Sequence, residues 1–272
     1  MHAAQRRLRW FIIGGGAVVV ALALTIAIVA NSSSSSTTSA TTTALPADIA
    51  AVVSNVTDVP AIALDTVGAG KAKLPSKVSG TAIAVGAKPE ILYVGAEYCP
   101  FCAAERWALT IALSRFGTFS GLGLTHSSTT DVYPGTATLK FHGSTYASDV
   151  IAFTPVEVAT NEPNGSGGYQ RLDTLTTEQQ QVVNDLSPGG GIPFIDFSGQ
   201  YLISGATYDA GVLQGRNATE IASALNVTDS PIAQAVLGAA NGITAAICQL
   251  TNSEPADVCT SAAVQAITLP TS

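Results

Sequence analysis

Residues 91–116 read ILYVGAEYCPFCAAERWALTIALSRF. The first six, ILYVGA (91–96), form an unbroken apolar run between Glu90 and Glu97. Such a run predicts a strand buried on both faces, as in a parallel sheet. After Pro100, FCAAERWALTIALSRF (101–116) is rich in helix formers and free of Gly and Pro, and Gly117 stands where a C′ stop belongs. Between strand and helix lies Cys99-Pro-Phe-Cys102. This spacing puts Cys99 at the N-cap and Pro100 at the first helical position, where a missing N–H costs nothing. The first-turn amides, that of Cys102 among them, would face the Cys99 sulfur, and with the helix dipole they favour a thiolate. Cys102, one turn further in, would be the more buried thiol. A thiolate is the attacking species in disulfide exchange. The pattern therefore points to Cys99 as the attacking and Cys102 as the resolving cysteine.

Two other readings stay open from the residues alone. A Cys-x-x-Cys is half of a zinc site, but the other half is missing: there is no second such pair, and His126 and His142 fall on separate predicted strands. No metal and no cofactor is expected. Two inert buried cysteines are the other reading. Cys248 and Cys259 form a second pair. In an exported domain a structural disulfide between terminal helices is expected, closing a 12-residue loop, worth about 3 kcal/mol in the chain-entropy view; a second redox relay is the sharper alternative.

Working outward, residues 48–67 predict an amphipathic helix broken at Pro60, and 68–89 a loop-rich extension holding four glycines and two prolines. Segments 121–128, 136–143 and 150–158 are strand-like, and NEPNGSGG (161–168) reads as a loop. Residues 176–186 predict a helix capped by Thr176 and stopped by SPGGG (187–191). PFIDF (193–197) and QYLISG (200–205) predict a hairpin around Ser198-Gly199. From 207 to 267 the chain is Ala-rich with helical spacing, broken near Pro231 and at Glu254-Pro255.

At the N-terminus, WFIIGGGAVVVALALTIAIVA (10–30) carries no charge and comes after Arg6, Arg7 and Arg9. It is long enough to cross a hydrocarbon core. The arginines predict a cytoplasmic tail of residues 1–9 and a single-pass anchor over 10–30. Ile28 before Ala30 is a poor cleavage pattern, so an uncleaved anchor is favoured over a signal peptide. Residues 31–47 begin with a Ser/Thr tract that serves as a solvated tether. The rest of the chain would hang outside the cell membrane, where disulfides persist. The chain carries 12 basic and 19 acidic residues, and three of the bases precede residue 10. So acidic a body excludes nucleic acid as a partner. With 47% hydrophobic and 11% charged residues the 272-residue chain can bury a substantial core.

The stretches ILYVGAEYCPFCAAERWAL and GGGIPFIDF resemble the thioredoxin superfamily over roughly residues 90–225. VGAEYCPFCAAERWAL, SRFGTFSGL and the late cysteine pair resemble, more narrowly, membrane-anchored prokaryotic proteins with a thioredoxin-like domain. The resemblance implies an α/β fold: a central mixed sheet flanked by helices over 90–272, with a β-rich insertion at about 118–175 and C-terminal helices, preceded by 48–89 as an N-terminal extension. It implies a cis-proline at Ile192-Pro193 facing the cysteines and leaving the Ile192 backbone free to pair with a substrate chain. Tyr98, Phe101 and Trp107 would add apolar surface there. It further implies thiol–disulfide exchange on exported thiol-containing proteins, reset by a membrane redox partner. A non-catalytic binding or assembly module is the alternative. The chain departs from the family in three places: six residues before Cys99, where the family carries a buried acid, stands Tyr93; Pro100-Phe101 resembles the Pro-Tyr of glutaredoxins more than the Gly-Pro of thioredoxin; and Pro193 lies 91 residues after Cys102, farther than in thioredoxin. Glu97 and Glu105 would oppose a Cys99 thiolate, with Arg106 offsetting them.

Overall fold

The computed structural model describes residues 46–271. The expected tail, membrane anchor and nearly all of the tether, residues 1–45, lie outside the described residues. In chain order the elements begin with helices α1 (Ala47–Thr57) and α2 (Ala61–Val67) and strands β1 (Ser76–Lys77), β2 (Ala84–Val85) and β3 (Lys88–Gly95). Helix α3 (Pro100–Ser114) comes next, then β4 (Thr118–Ser120), β5 (Gly123–His126), β6 (Ala137–Lys140) and β7 (Thr145–Ala147). After these come β8 (Ala152–Glu157), β9 (Ala159–Pro163), β10 (Tyr169–Arg171), α4 (Thr177–Leu186), β11 (Phe194–Phe197) and β12 (Tyr201–Ser204). The chain ends in α5 (Ala218–Ala224), α6 (Pro231–Leu250), α7 (Ala256–Cys259) and α8 (Ala262–Gln265).

The central sheet is mixed, in the order β1-β12-β11-β3-β2, with β8 also on β3. β3 runs antiparallel to β11, Ile195 opposite Tyr93 and Phe197 opposite Ile91. It runs parallel to β8, Val94 opposite Val156 and Gly95 opposite Glu157. The apolar run of β3 is needed because both faces are covered. Ile91 and Tyr93 join the large core with α3 and α6, while Leu92 and Val94 pack with Val182 and Val183 of α4. The fold class is thus α/β, a mixed sheet flanked by helices.

Helix α6 is long and apolar enough to cross a membrane, with mean hydropathy 1.4, yet 89% of that stretch is buried within the domain. It is the core helix. Asn241 donates from Nδ2 to the carbonyls of Leu64 and Gly68, both at 2.8 Å, and so ties down the end of α2. Gly238 lets this contact close, because a Cβ there would sit 2.5 Å from the Ala69 carbonyl oxygen. Cys248 and Cys259 are joined in a disulfide with Cα atoms 5.6 Å apart.

Four features differ from the sequence expectations. The insertion at 118–175 is not continuous. Ladders β4–β7 and β5–β6 and the hairpin β9–β10 stand beside the sheet, but β8 between them belongs to it. β8 is half-exposed and carries Pro155, which an edge strand tolerates, so it lacks the apolar signature of β3. The segment NEPNGSGG is partly strand, since β9 runs through Pro163. Residues 48–89 are not a separate extension: β1 and β2 extend the sheet, α1 and α2 pack against the helical core, and the described residues form one compact unit. Gly117 is not a left-handed stop. Helix α3 ends on Arg115 in right-handed geometry, and Gly117 is there because a Cβ would lie 2.3 Å from the Ala147 carbonyl oxygen.

Candidate functional site: the Cys99–Cys102 turn

Strand β3 delivers the chain into the turn Ala96–Cys99. The Cys99 N–H donates to the Ala96 carbonyl at 3.2 Å. Cys99 caps α3, with Pro100 as its first residue, and the Cys99 sulfur accepts the Cys102 N–H at 3.1 Å. Across the turn the Ile192 carbonyl oxygen lies 4.0 Å from the same sulfur. The Ile192–Pro193 peptide is cis, and the Pro193 carbonyl accepts Gly205 N–H at 2.8 Å. Cys99, Cys102 and Ala96 form a small cluster of their own, closed by Tyr98, Val158, Ala159 and Ile192. Both cysteines are free thiols. Cys99 keeps 5% of its surface exposed and Cys102 none.

The two thiols are made unequal by their surroundings. The Cys102 thiol, as hydrogen-bond partner, pulls the Cys99 pKa below its ordinary value; burial opposes this, and the Cys102 N–H, the Arg106 charge and the Phe101 N–H deepen the lowering. Burial pushes Cys102 well up, and its hydrogen bond to Cys99 adds to the rise.

Under the turn lies a buried ion pair. Arg106 reaches Glu157 of β8 through Nε at 2.7 Å and Nη2 at 2.8 Å, and neither side chain has any exposure. The same Nη2 donates to the Ala96 carbonyl at 2.8 Å, so Arg106 braces the turn that holds Cys99. Behind it, Asp173 accepts the Glu157 N–H at 3.0 Å and pairs with His142 at 3.1 Å. Tyr93 is fully buried beside this pair, and burial raises its phenol well above the ordinary value.

Tyr98 stacks on Tyr169 with ring centres 4.3 Å apart. Phe101 is 39% exposed and meets Tyr133 edge-on. Trp107 does not reach this surface. It is wholly buried and donates its indole N–H to the Ala137 carbonyl at 2.9 Å. Helix α3 is covered by α6, α1 and β6, so it has no solvent face at that position. The two glutamates expected to oppose the thiolate are engaged elsewhere. Glu97 is 3.6 Å from Lys140, and Glu105 accepts the Thr207 N–H and hydroxyl, each at 2.9 Å through Oε2. His126 turns its ring to the Ser127 carbonyl, at 2.8 Å. Among the described residues no cluster of His, Cys, Asp or Glu is arranged to hold a metal ion.

Sequence reasoning missed Glu157 and Tyr169. Glu157 is 51 residues from the arginine it pairs with, and Tyr169 is brought to Tyr98 by the hairpin β9–β10. No local spacing marks either; the one usable signal was a lone acid within a strand-like segment.

Burial pushes Glu105 up to about 7, although the Thr207 hydrogen bonds pull the other way. Asp196 is also pushed up to about 7, chiefly by burial, while accepting the Gly199 N–H. A carboxyl raised in the folded state keeps a proton that the unfolded chain gives up at about 4.3. Stability therefore falls as pH rises through that window and levels off above it. Glu105→Gln should remove its share of this loss, roughly 3 kcal/mol between about pH 4.5 and 7.5. Urea midpoints across that range should fall less steeply in the variant, and equal slopes would contradict the assignment.

Residues 75–190, which include both cysteines of the turn, match a domain of unknown function (DUF929). No curated protein and no solved structure matches the chain.

Proposed function

We propose that the chain is a thioredoxin-like thiol–disulfide exchange protein, tethered to the cell membrane by residues 10–30 and acting outside it. The observation that carries this is the pairing of thiols of opposite character on one turn: Cys99 with its sulfur on the Cys102 N–H and its pKa lowered, Cys102 buried and raised. The fold reading is supported by the order of parts. A strand runs into a Cys-x-x-Cys helix, β8 comes after it in parallel, and the hairpin β11–β12 returns antiparallel with Ile192 across from Cys99.

The chemistry balances between two dithiol/disulfide couples. The Cys99 thiolate attacks one sulfur of a substrate disulfide; that S–S bond breaks, a mixed disulfide forms, and the departing thiolate takes up a proton. Cys102 then gives up its proton and attacks the Cys99 sulfur, releasing the substrate's second thiol. The substrate gains two electrons and the Cys99–Cys102 pair loses them. With the pair oxidised, the same steps run in reverse. A membrane protein supplies or removes the two electrons that reset the pair. Ile192 and Pro193 place the substrate chain, with Tyr98 and Phe101 beside it.

The low exposure of Cys99 favours a second reading, a binding module whose cysteines are inert. Alkylation of the reduced, folded chain separates the two. We expect iodoacetamide at about pH 7 to modify Cys99 first and leave Cys102 intact, with the rate titrating below the ordinary thiol value of about 8.5. No modification of either cysteine without denaturant favours the inert module.

A further inference from the structure

Beside the cysteine turn lies a groove of about 520 Å³, a size typical of ligand clefts. Ile192 is shared by both: its carbonyl faces the Cys99 sulfur at 4.0 Å and its side of the chain lines the groove. Phe101, exposed on the helix start, lines it as well, together with Thr207 and Tyr208. The groove also holds Lys71 and Lys73. Both are exposed, and neither makes an ion pair among the described residues. Their backbones are fixed, because Lys71 N–H donates to the Gln234 carbonyl at 3.1 Å and Lys73 N–H to the Thr207 carbonyl at 2.7 Å. One acid, Asp209, also lines the groove; it is exposed, and its Oδ1 accepts the Gly211 N–H at 2.9 Å and the Tyr133 hydroxyl at 3.4 Å. In a chain with 12 bases and 19 acids, two lysines with no ion-pair partner among the described residues, against one carboxylate, leave this groove lining net positive, and the lining includes Ile192, whose carbonyl faces the Cys99 sulfur.

We propose that this groove selects substrates: the site exchanges with polypeptide cysteines that carry acidic residues within about two positions, the carboxylates meeting Lys71 and Lys73 while the chain lies over Phe101 and Ile192. The inference rests on the exchange reading above and specifies its substrate class. An acid two residues from the cysteine lies roughly 7 Å along an extended chain, so the flanking positions are the ones to vary. Attraction between exposed charges of this kind acts mainly on the association rate and is screened by salt.

The test uses the full chain in mild detergent with Cys102→Ala, so that reaction stops at the mixed disulfide. Short peptides carry one cysteine as a mixed disulfide with thionitrobenzoate and are flanked by glutamates, lysines or serines. The Cys99 thiolate attacks the peptide sulfur, the S–S bond to thionitrobenzoate breaks, and the coloured thiolate that leaves reports the rate. Each rate is divided by that of the same peptide with 2-mercaptoethanol, a neutral thiol, which removes the intrinsic effect of the flanks. At low salt the glutamate peptide should react at least about fivefold faster than the lysine peptide, and the ratio should shrink toward one as salt rises. Lys71→Glu with Lys73→Glu should invert it. Equal normalised rates, or a preference that survives the double substitution, overturn the groove assignment and leave exchange at Cys99 standing. No thionitrobenzoate release from any peptide overturns the exchange reading, and the inference with it.

Discussion

Cys102→Ala expressed in an oxidising compartment should accumulate higher-mass adducts that reductant dissolves, all of them through Cys99. The resolving step is the one that clears the mixed disulfide, and with no second thiol beside it the Cys99–substrate bond persists. Cys99→Ala should trap little. Cys102 has no exposed surface, and burial holds its thiol well above the ordinary value, so it offers neither access nor thiolate. The contrast is close to all-or-none on a non-reducing gel. Adducts through Cys102 would reverse the roles, and a folded protein with none from either variant would favour the inert module.

Arg106→Met should destabilise the domain by about 3–5 kcal/mol, because it leaves Glu157 charged and unpaired with no solvent to reach it. That is a large share of a typical domain stability of about 5–15 kcal/mol. Adding Glu157→Met should return most of it, since a packed apolar pair replaces a buried ionic one at little net cost. Cys99 should respond differently. The Arg106 charge lowers its pKa, so in the double variant the alkylation profile of Cys99 should stay shifted to higher pH even as the melting temperature recovers. Recovery of both together would mean that Arg106 serves packing alone.

These two expectations draw on parts of the chain that differ in legibility. The strand at 91–96, the helix beginning at Pro100 and the N-cap position of Cys99 are set by contiguous residues, because an apolar run, a proline at the first helical position and a two-residue cysteine spacing are local signals. The hairpin around Ser198-Gly199 and the helix breaks before Pro231 and at Pro255 are local in the same sense. The features that escaped reading are held by distant partners. Glu157 meets Arg106 across 51 residues and Thr207 meets Glu105 across 102. Strand β8 falls within the strand-like segment 150–158, but its place in the central sheet comes only from pairing with β3, because an edge strand with a proline and half-exposed side chains does not show which sheet it joins. Strands β1 and β2, two residues each, are too short to carry a pattern, so residues 76–89 read as loop. Lys71 and Lys73 look like ordinary surface lysines until the fold sets them beside Ile192.

The most direct test is the reduction potential of the Cys99–Cys102 pair, measured by equilibrating the full chain against glutathione buffers and counting free thiols. An exchange pair, with one thiol stabilised as thiolate and the other held ready beside it, should equilibrate at roughly −270 to −120 mV, within the range of working oxidoreductases. A pair that resists reduction until below about −300 mV would behave as a structural disulfide and would contradict thiol–disulfide exchange at this turn.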